Sequence, residues 1–469
     1  MAQSRSQPMA DGTALQLMST GTSSIPPTGP RKLVERESKI TKLESTVLYP
    51  RLVLLEALTR FKDGPKQRAM SSDKTREARR DFLDSFAYLC DVEKGGKTVT
   101  ATALQMMEVE SGDCLWLAAN EGIREEVLFY AQKILKRAKV ATVENVRVVQ
   151  DRILTLSVKK CKPRIHFYRD AIKRDALQCN EALEGVERDD FVNLLRTKLG
   201  QLLEHPPSTN LEAYVDLCYD MRGEDIRAIR SYSKTAEDGF SQLAHHVYRL
   251  GATRDAANKV VEAMTLVPSL RKISKIMIVN TPRIVKKTVS PVHLIPHEVL
   301  YGVLEGTRPI DPLKFQQAFL QLYHLDPSPL RPIYNHMVSK ETVVTRVHAE
   351  LQIADKFARS QAINFVENDK YIGCSKPACY FCHTWLCLHT QGYSKPATHC
   401  KVIPGCRGPD YELNDAGTDV MISMYRKISR QVGQDIFAFL EKNTPPPRVP
   451  YMSTDAGSRA PSRMSGFQE

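Results

Sequence analysis

Apolar positions follow two different periods along this chain. From Lys32 to about Pro268 they recur at helical intervals. Phe191, Leu195, Leu199 and Leu202 would line one face of a helix that Asp189 and Asp190 open and that ends before Pro206-Pro207. Ser208, Thr209 and Asn210 can cap a second helix, whose stripe is Leu211, Val215 and Cys218. Similar patterns surround Leu104 to Leu135 and Val143 to Val158, so residues 32–268 read as an all-helical domain.

Beyond Pro268 the pattern becomes mixed. Ile276-Met277-Ile278-Val279 and Arg283-Ile284-Val285 are β-like, with Thr281-Pro282 between them, and are the candidates for an early hairpin. Leu313 to Leu325 reads as a helix. The β-branched run Val343-Val344-Thr345-Arg346-Val347 is extended, whereas Leu351, Ala354, Phe357 and Ala358 keep helical spacing, which puts a strand-to-helix junction at His348. Lys370 to Gly373 reads as a short strand, with Ser375 as the cap of a following helix and Pro377 in its first turn. Ile422, Tyr425, Ile428, Val432, Ile436 and Leu440 mark a closing helix from Thr418 to Glu441, stopped by Pro445-Pro446-Pro447. The polar, proline-interrupted segments 1–31 and 443–469 are expected to be disordered.

Composition narrows the class. A chain of 469 residues can bury a large core in two or three domains, and its net charge of +12 favours an anionic partner. The eleven cysteines are odd in number and no apolar signal segment opens the chain. The expectation is an intracellular protein, cytoplasmic or nuclear, with free or metal-bound thiols and no membrane span. No heptad run or interface stripe points to an oligomeric state.

The chemistry concentrates after Val347. His348 and the pair Cys379 and Cys382 supply one imidazole and two thiols, a set that suits Zn²⁺ and leaves a fourth tetrahedral position for water. Residues two apart share a face in a strand but not in a helix, so His348 and Glu350 converge on one point only at a junction such as the one predicted here. Glu350 is then the candidate proton carrier. Cys379 and Cys382, at i and i+3, would share one face of a helix near its N-terminus, where the dipole favours thiolates.

Val347-His348-Ala349-Glu350, followed by Tyr371-Ile372-Gly373-Cys374-Ser375-Lys376 and the Cys pair, resembles the zinc-dependent cytidine deaminase-like superfamily, whose signature is H-x-E with P-C-x-x-C. The run looks most like its fungal branch of nucleic acid/nucleotide deaminase-like proteins, and the match spans about Thr345 to Leu388. The resemblance implies an α/β/α three-layer domain over 269–442, making the whole chain α+β. It implies His348, Cys379 and Cys382 as zinc ligands, Glu350 as proton shuttle, and hydrolytic deamination of a cytosine- or adenine-type base in a nucleotide or single-stranded nucleic acid. One departure stands out: Ala378 separates Pro377 from Cys379, which makes Cys374 a conceivable substitute ligand.

Other readings of the same residues compete. Cys374, Cys379 and Cys382 have the spacing of plant-type iron–sulfur ligation, but that reading gives His348 and Glu350 no role. The c-type haem spelling Cys379 to His383 normally goes with export. A non-catalytic zinc scaffold, with the helical domain recruiting a protein partner, is the alternative to the enzyme. Cys387, His389, His399, Cys400 and Cys406 offer a second set of possible ligands whose spacing fits no short finger pattern, so buried thiols and ordinary histidines are preferred. Gly95-Gly96-Lys97-Thr98 lacks the first glycine of a phosphate loop, since that position is Asp91, and reads as a turn. No Gly-x-Ser-x-Gly elbow is present. The basic groups around Arg76 to Arg80, Lys133 to Lys139 and Lys159 to Arg164 read as solvated helix faces before they read as a phosphate-binding surface. Tyr380, Phe381 and Trp385 could stack on a base, though core packing is the commoner use.

Overall fold

The computed structural model describes residues 39–59, 66–107, 112–187, 189–204, 210–234, 238–305, 312–360 and 362–441. The termini expected to be disordered lie outside these, as do Pro206, Pro207, Ser208 and Thr209. Seven strands are present among the described residues: β1 (Thr100–Met106), β2 (Asp113–Ala119), β3 (Ile273–Ile278), β4 (Val285–Thr288), β5 (Thr342–Thr345), β6 (Asn364–Phe365) and β7 (Gly373–Cys374). The main sheet runs β3-β2-β1-β6, and β7 also pairs with β1. β1 is antiparallel to β2, β6 and β7, while β3 lies parallel to β2. A separate two-stranded sheet joins β4 to β5, with Val285 opposite Thr345.

The α+β class and the helical N-terminal region are as expected, with one correction inside that region. The hairpin β1-β2 stands where the spacing from Leu104 onward reads as helix, and β3 and β4 enter different sheets instead of pairing as a hairpin. The cause is burial on both faces. Leu104, Leu115 and Leu117 join one core, and Ala101, Ala103, Cys114, Trp116 and Ala118 join the other. A strand covered on both sides shows no polar alternation, so its period cannot be told from that of a buried helix.

Helices cover each face. Helix α1 (Tyr49–Leu58) packs in the same core as the site, and Arg51 fastens it there by donating to Ser429 O (3.0 Å) and Gly302 O (2.6 Å). Helix α2 (Lys74–Cys90), capped by Asp73, lies across β1 and β7, and α3 (Gly239–Leu266), capped by Asp238, packs on α2. Six further helices between Glu125 and Ser231 complete that layer among the described residues. One of them, Asp190–Leu203, is capped by Asp189 and buries Leu195, Leu199 and Leu202 as the spacing predicts, whereas Phe191, expected on the same face, is exposed and Val192 is buried instead; Asn210 caps the next. The opposite face carries α4 (Ala349–Arg359), α5 (Tyr380–Leu388) and α6 (Asp415–Leu440).

The basic groups divide between the interior and solvent. Lys133, Lys136 and Arg137 are on an exposed helix face. Arg79 instead is buried and pairs with Glu367 (2.5 Å), Arg80 pairs with Asp369 (2.6 Å), and Arg164 donates to Tyr88 O (3.1 Å). Those three arginines tie layers of the fold together.

Candidate metal centre and its cavity

The junction at His348 forms as the sequence predicts. β5 ends at Thr345, and His348 sits in extended backbone (φ −70°, ψ 156°) as the residue preceding α4. Its carbonyl accepts from Leu351 N and Gln352 N (both 3.0 Å), but its side chain caps nothing and is free to point elsewhere. The cap comes from another element. Asn120, at the end of β2, accepts from Ala349 N (2.8 Å) through Oδ1 and donates from Nδ2 to Gly96 O (2.8 Å). Gln352 Nε2 donates to Ala119 O (3.1 Å) and Val347 O (2.9 Å), sewing the junction to β2 a second time. The sequence gives no sign of Asn120, since an Asn after a strand reads as a turn residue.

The second half differs from expectation by several residues. Ser375 caps no helix; its hydroxyl meets Asp91 Oδ2 (3.2 Å) and accepts from Thr100 N (3.1 Å). Pro377 precedes the helix, and the inserted Ala378 pairs with Thr398 in an isolated bridge. Cys379 is itself the cap of α5, with Sγ accepting from Cys382 N (3.5 Å), so the two thiols do meet at a helix N-terminus.

Three predicted residues and one that was set aside converge. His348 Nδ1 lies 3.6 Å from Cys379 Sγ and 3.4 Å from Cys382 Sγ, and Cys406 Sγ is 3.4 Å from Cys382 Sγ. The four donor atoms lie within 4.8 Å of one another, and all four residues are buried. Cys406, read from the sequence as a buried thiol rather than a ligand, therefore joins the first set. The rest of the second set disperses: Cys387 is exposed beside His383 (3.7 Å), and His399 lines the cavity described below. Cys374, the conceivable substitute, is not among the four donors, which also removes the trio that the iron–sulfur spacing required.

Electrostatics within the group are mutually dependent. Burial pushes the Cys382 and Cys406 thiols up; it works against Cys379 too, but hydrogen bonds from Cys382 and Cys406, together with His348, pull Cys379 well below the ordinary thiol value. Burial would lower His348, yet the neighbouring Cys379 holds it above its usual range. Burial raises Glu350, partly countered by His348. Glu350 Oε2 is buried with no hydrogen-bond partner. One imidazole, three thiols and an orphaned carboxylate oxygen fit a soft divalent ion with a polar species beside it.

A cavity of about 480 Å³ opens onto this group. His348, Glu350 and Cys379 reach its wall, whereas Cys382 and Cys406 lie behind it. The Gly95-Gly96 turn lines the mouth, so the segment that fails as a phosphate loop still borders the site. Lys94, Arg249, Arg346, Lys376 and Lys401 line the cavity with Glu350 as the one acid of the lining, although Arg346 is paired with Glu121 (2.6 Å) and Lys376 with Asp91 (3.6 Å). Phe381 and Trp385 stack at 6.0 Å in the core, and Tyr380 donates to Asp435 (2.5 Å), so none of the three aromatics stands in this cavity.

Comparison with known proteins yields one match: residues 347–410 fit the family model described as OTT_1508-like deaminase. No curated protein and no solved structure matches the chain.

Proposed function

We propose that the chain, whose residues 347–410 fit an OTT_1508-like deaminase model, is a zinc-dependent hydrolytic deaminase of the cytidine deaminase-like superfamily acting on an amino-bearing base that carries phosphate. The carrying observation is the partnerless Oε2 of buried Glu350, which shares the cavity wall with His348 and Cys379 of the four-donor group. That oxygen accepts no hydrogen bond from the fold around it. A metal scaffold needs no such carboxylate, and an unsatisfied buried polar atom costs about 1–3 kcal/mol.

His348, Cys379 and Cys382 would hold the ion. Zinc, when bound, supplies a Lewis acid that can lower the pKa of water to roughly 7. Glu350 takes one proton from the attacking water and passes it to the ring nitrogen of the base, then takes the second from the hydroxyl of the resulting adduct and passes it to the departing amine, so that water and amidine become carbonyl and ammonia. Burial raises the Glu350 carboxyl toward the range in which it can both take and give a proton. The positive charge at the mouth supports a phosphorylated substrate, nucleotide or single-stranded nucleic acid.

The test pairs metal content with ammonia release. One zinc per chain is expected, lost in Cys379→Ser/Cys382→Ser and retained in Glu350→Ala. General acid–base catalysis contributes about 10²–10⁴-fold, and Glu350→Ala should lose at least that. Unchanged turnover in Glu350→Ala would remove the mechanism.

A further inference from the structure

We propose that Cys406 is a fourth protein ligand that closes the metal centre, so that the folded chain rests in a water-excluding state and becomes hydrolytic only when this thiol leaves. The inference regulates the site proposed above and rests on that site holding zinc.

The first support is the spacing of the donors. With zinc bonds of about 2.3 Å to sulfur and about 2.0–2.1 Å to nitrogen, a tetrahedron has edges of roughly 3.8 Å between sulfurs and roughly 3.5 Å between sulfur and nitrogen. The two imidazole contacts, 3.6 and 3.4 Å, match the second edge, and Cys406 stands 3.4 Å from Cys382, within reach of the first. Three donors at tetrahedral separation leave a fourth corner for water; here a thiol stands at that range.

The second support is how firmly the chain holds Cys406 there. Cys406 forms an isolated parallel bridge with Arg346, two residues before His348. Arg346 N donates to Gly405 O (2.9 Å) and Arg407 N donates to Arg346 O (3.0 Å), which fixes the residue between them. Gly405 approaches so closely that a Cβ there would lie 2.8 Å from Val344 O. The Arg407 guanidinium donates to Arg283 O (2.8 Å) and pairs with Asp410, anchoring the loop from its other side. The backbone thus delivers a thiol to the group with the same care that it delivers His348.

Chemistry gives the consequence. Structural zinc sites have four protein ligands, whereas catalytic ones keep a position for water. With Cys406 attached, Glu350 faces an ion that has no water for it to work on. Exchange of this thiol for water therefore sets the active fraction.

Zinc-edge X-ray absorption on the full wild-type chain reads the ligands directly. Three sulfurs and one nitrogen are expected, becoming two sulfurs and two nitrogen or oxygen neighbours in Cys406→Ala. In cobalt-loaded protein, azide should perturb the visible spectrum of Cys406→Ala and leave the wild type unchanged. Two sulfurs in the wild type, or three retained in the variant, would overturn the closure and leave the deaminase reading standing. Absence of bound metal would overturn both. If Cys406→Ala does not fold, the wild-type sulfur count and azide response still decide.

Discussion

Asn120→Ala is the most direct test of how the His348 junction is held. The native side chain makes two hydrogen bonds, from Ala349 N and to Gly96 O, both 2.8 Å. They are unequal in value. Gly96 is exposed, so its carbonyl regains water after truncation at little cost. Ala349 is fully buried and its amide is the first donor of α4, with no other partner to turn to. Leaving a buried donor unsatisfied costs about 1–3 kcal/mol, so about 2 kcal/mol is expected in total. At about 1.4 kcal/mol per tenfold, that corresponds to roughly 30-fold more frequent local opening. Hydrogen exchange followed over residues 345–353 should speed up by that factor, alongside a lower urea midpoint with an unchanged slope. If protection at Ala349 stays at the wild-type level and the stability changes by less than about 0.5 kcal/mol, the cap is not what positions His348.

Two further outcomes follow from the layer behind the sheet. A Cβ on Gly373 would lie 2.6 Å from the Leu83 backbone and side chain, so Gly373→Ala should force β7 off α2 and cost about 2–3 kcal/mol in urea unfolding; a near-neutral variant would mean that the helix yields freely. Burial raises the Asp84 carboxyl to about 6, opposed by Arg68 and by the Tyr371 hydroxyl. Its unfolded value is about 3.9, so the folded chain holds the proton more tightly, and stability present below about pH 4 is lost as pH rises through about 6. The full loss is worth about 3 kcal/mol, of which about 2 kcal/mol falls between pH 4.5 and 7.5, and Asp84→Asn should gain about that much relative to wild type over this window; parallel pH profiles for the two proteins would contradict it.

The junction at His348 was legible because a β-branched run meets a helical stripe there and each signal is local. The Cys379 and Cys382 pair was legible for the same reason, although Ala378 shifts the start of α5 by pairing with Thr398. Cys406 was not, because its place depends on an isolated bridge to Arg346 that no local period records. The β1-β2 hairpin was hidden by its own burial: Cys114 to Ala119 is a nearly continuous apolar run with a core on each side. Asn120 escaped because its value lies wholly in what it reaches.

The clasp of Arg51 on Ser429, 378 positions away, bears on how the molecule comes into being. Helix α1 is synthesised long before the core that receives it is finished by α6. The sheet imposes a similar wait, since β1 and β2 precede their partners β6 and β7 by most of the helical layer. Contacts of such long reach form slowly, and until they form β1 presents an unpaired edge. The four donors His348, Cys379, Cys382 and Cys406 are therefore held in their final setting only after the stretch from α1 to α6 has left the ribosome. A fragment begun at residue 269 would carry all four donors but not the strands that align them, and it should be recovered as aggregate.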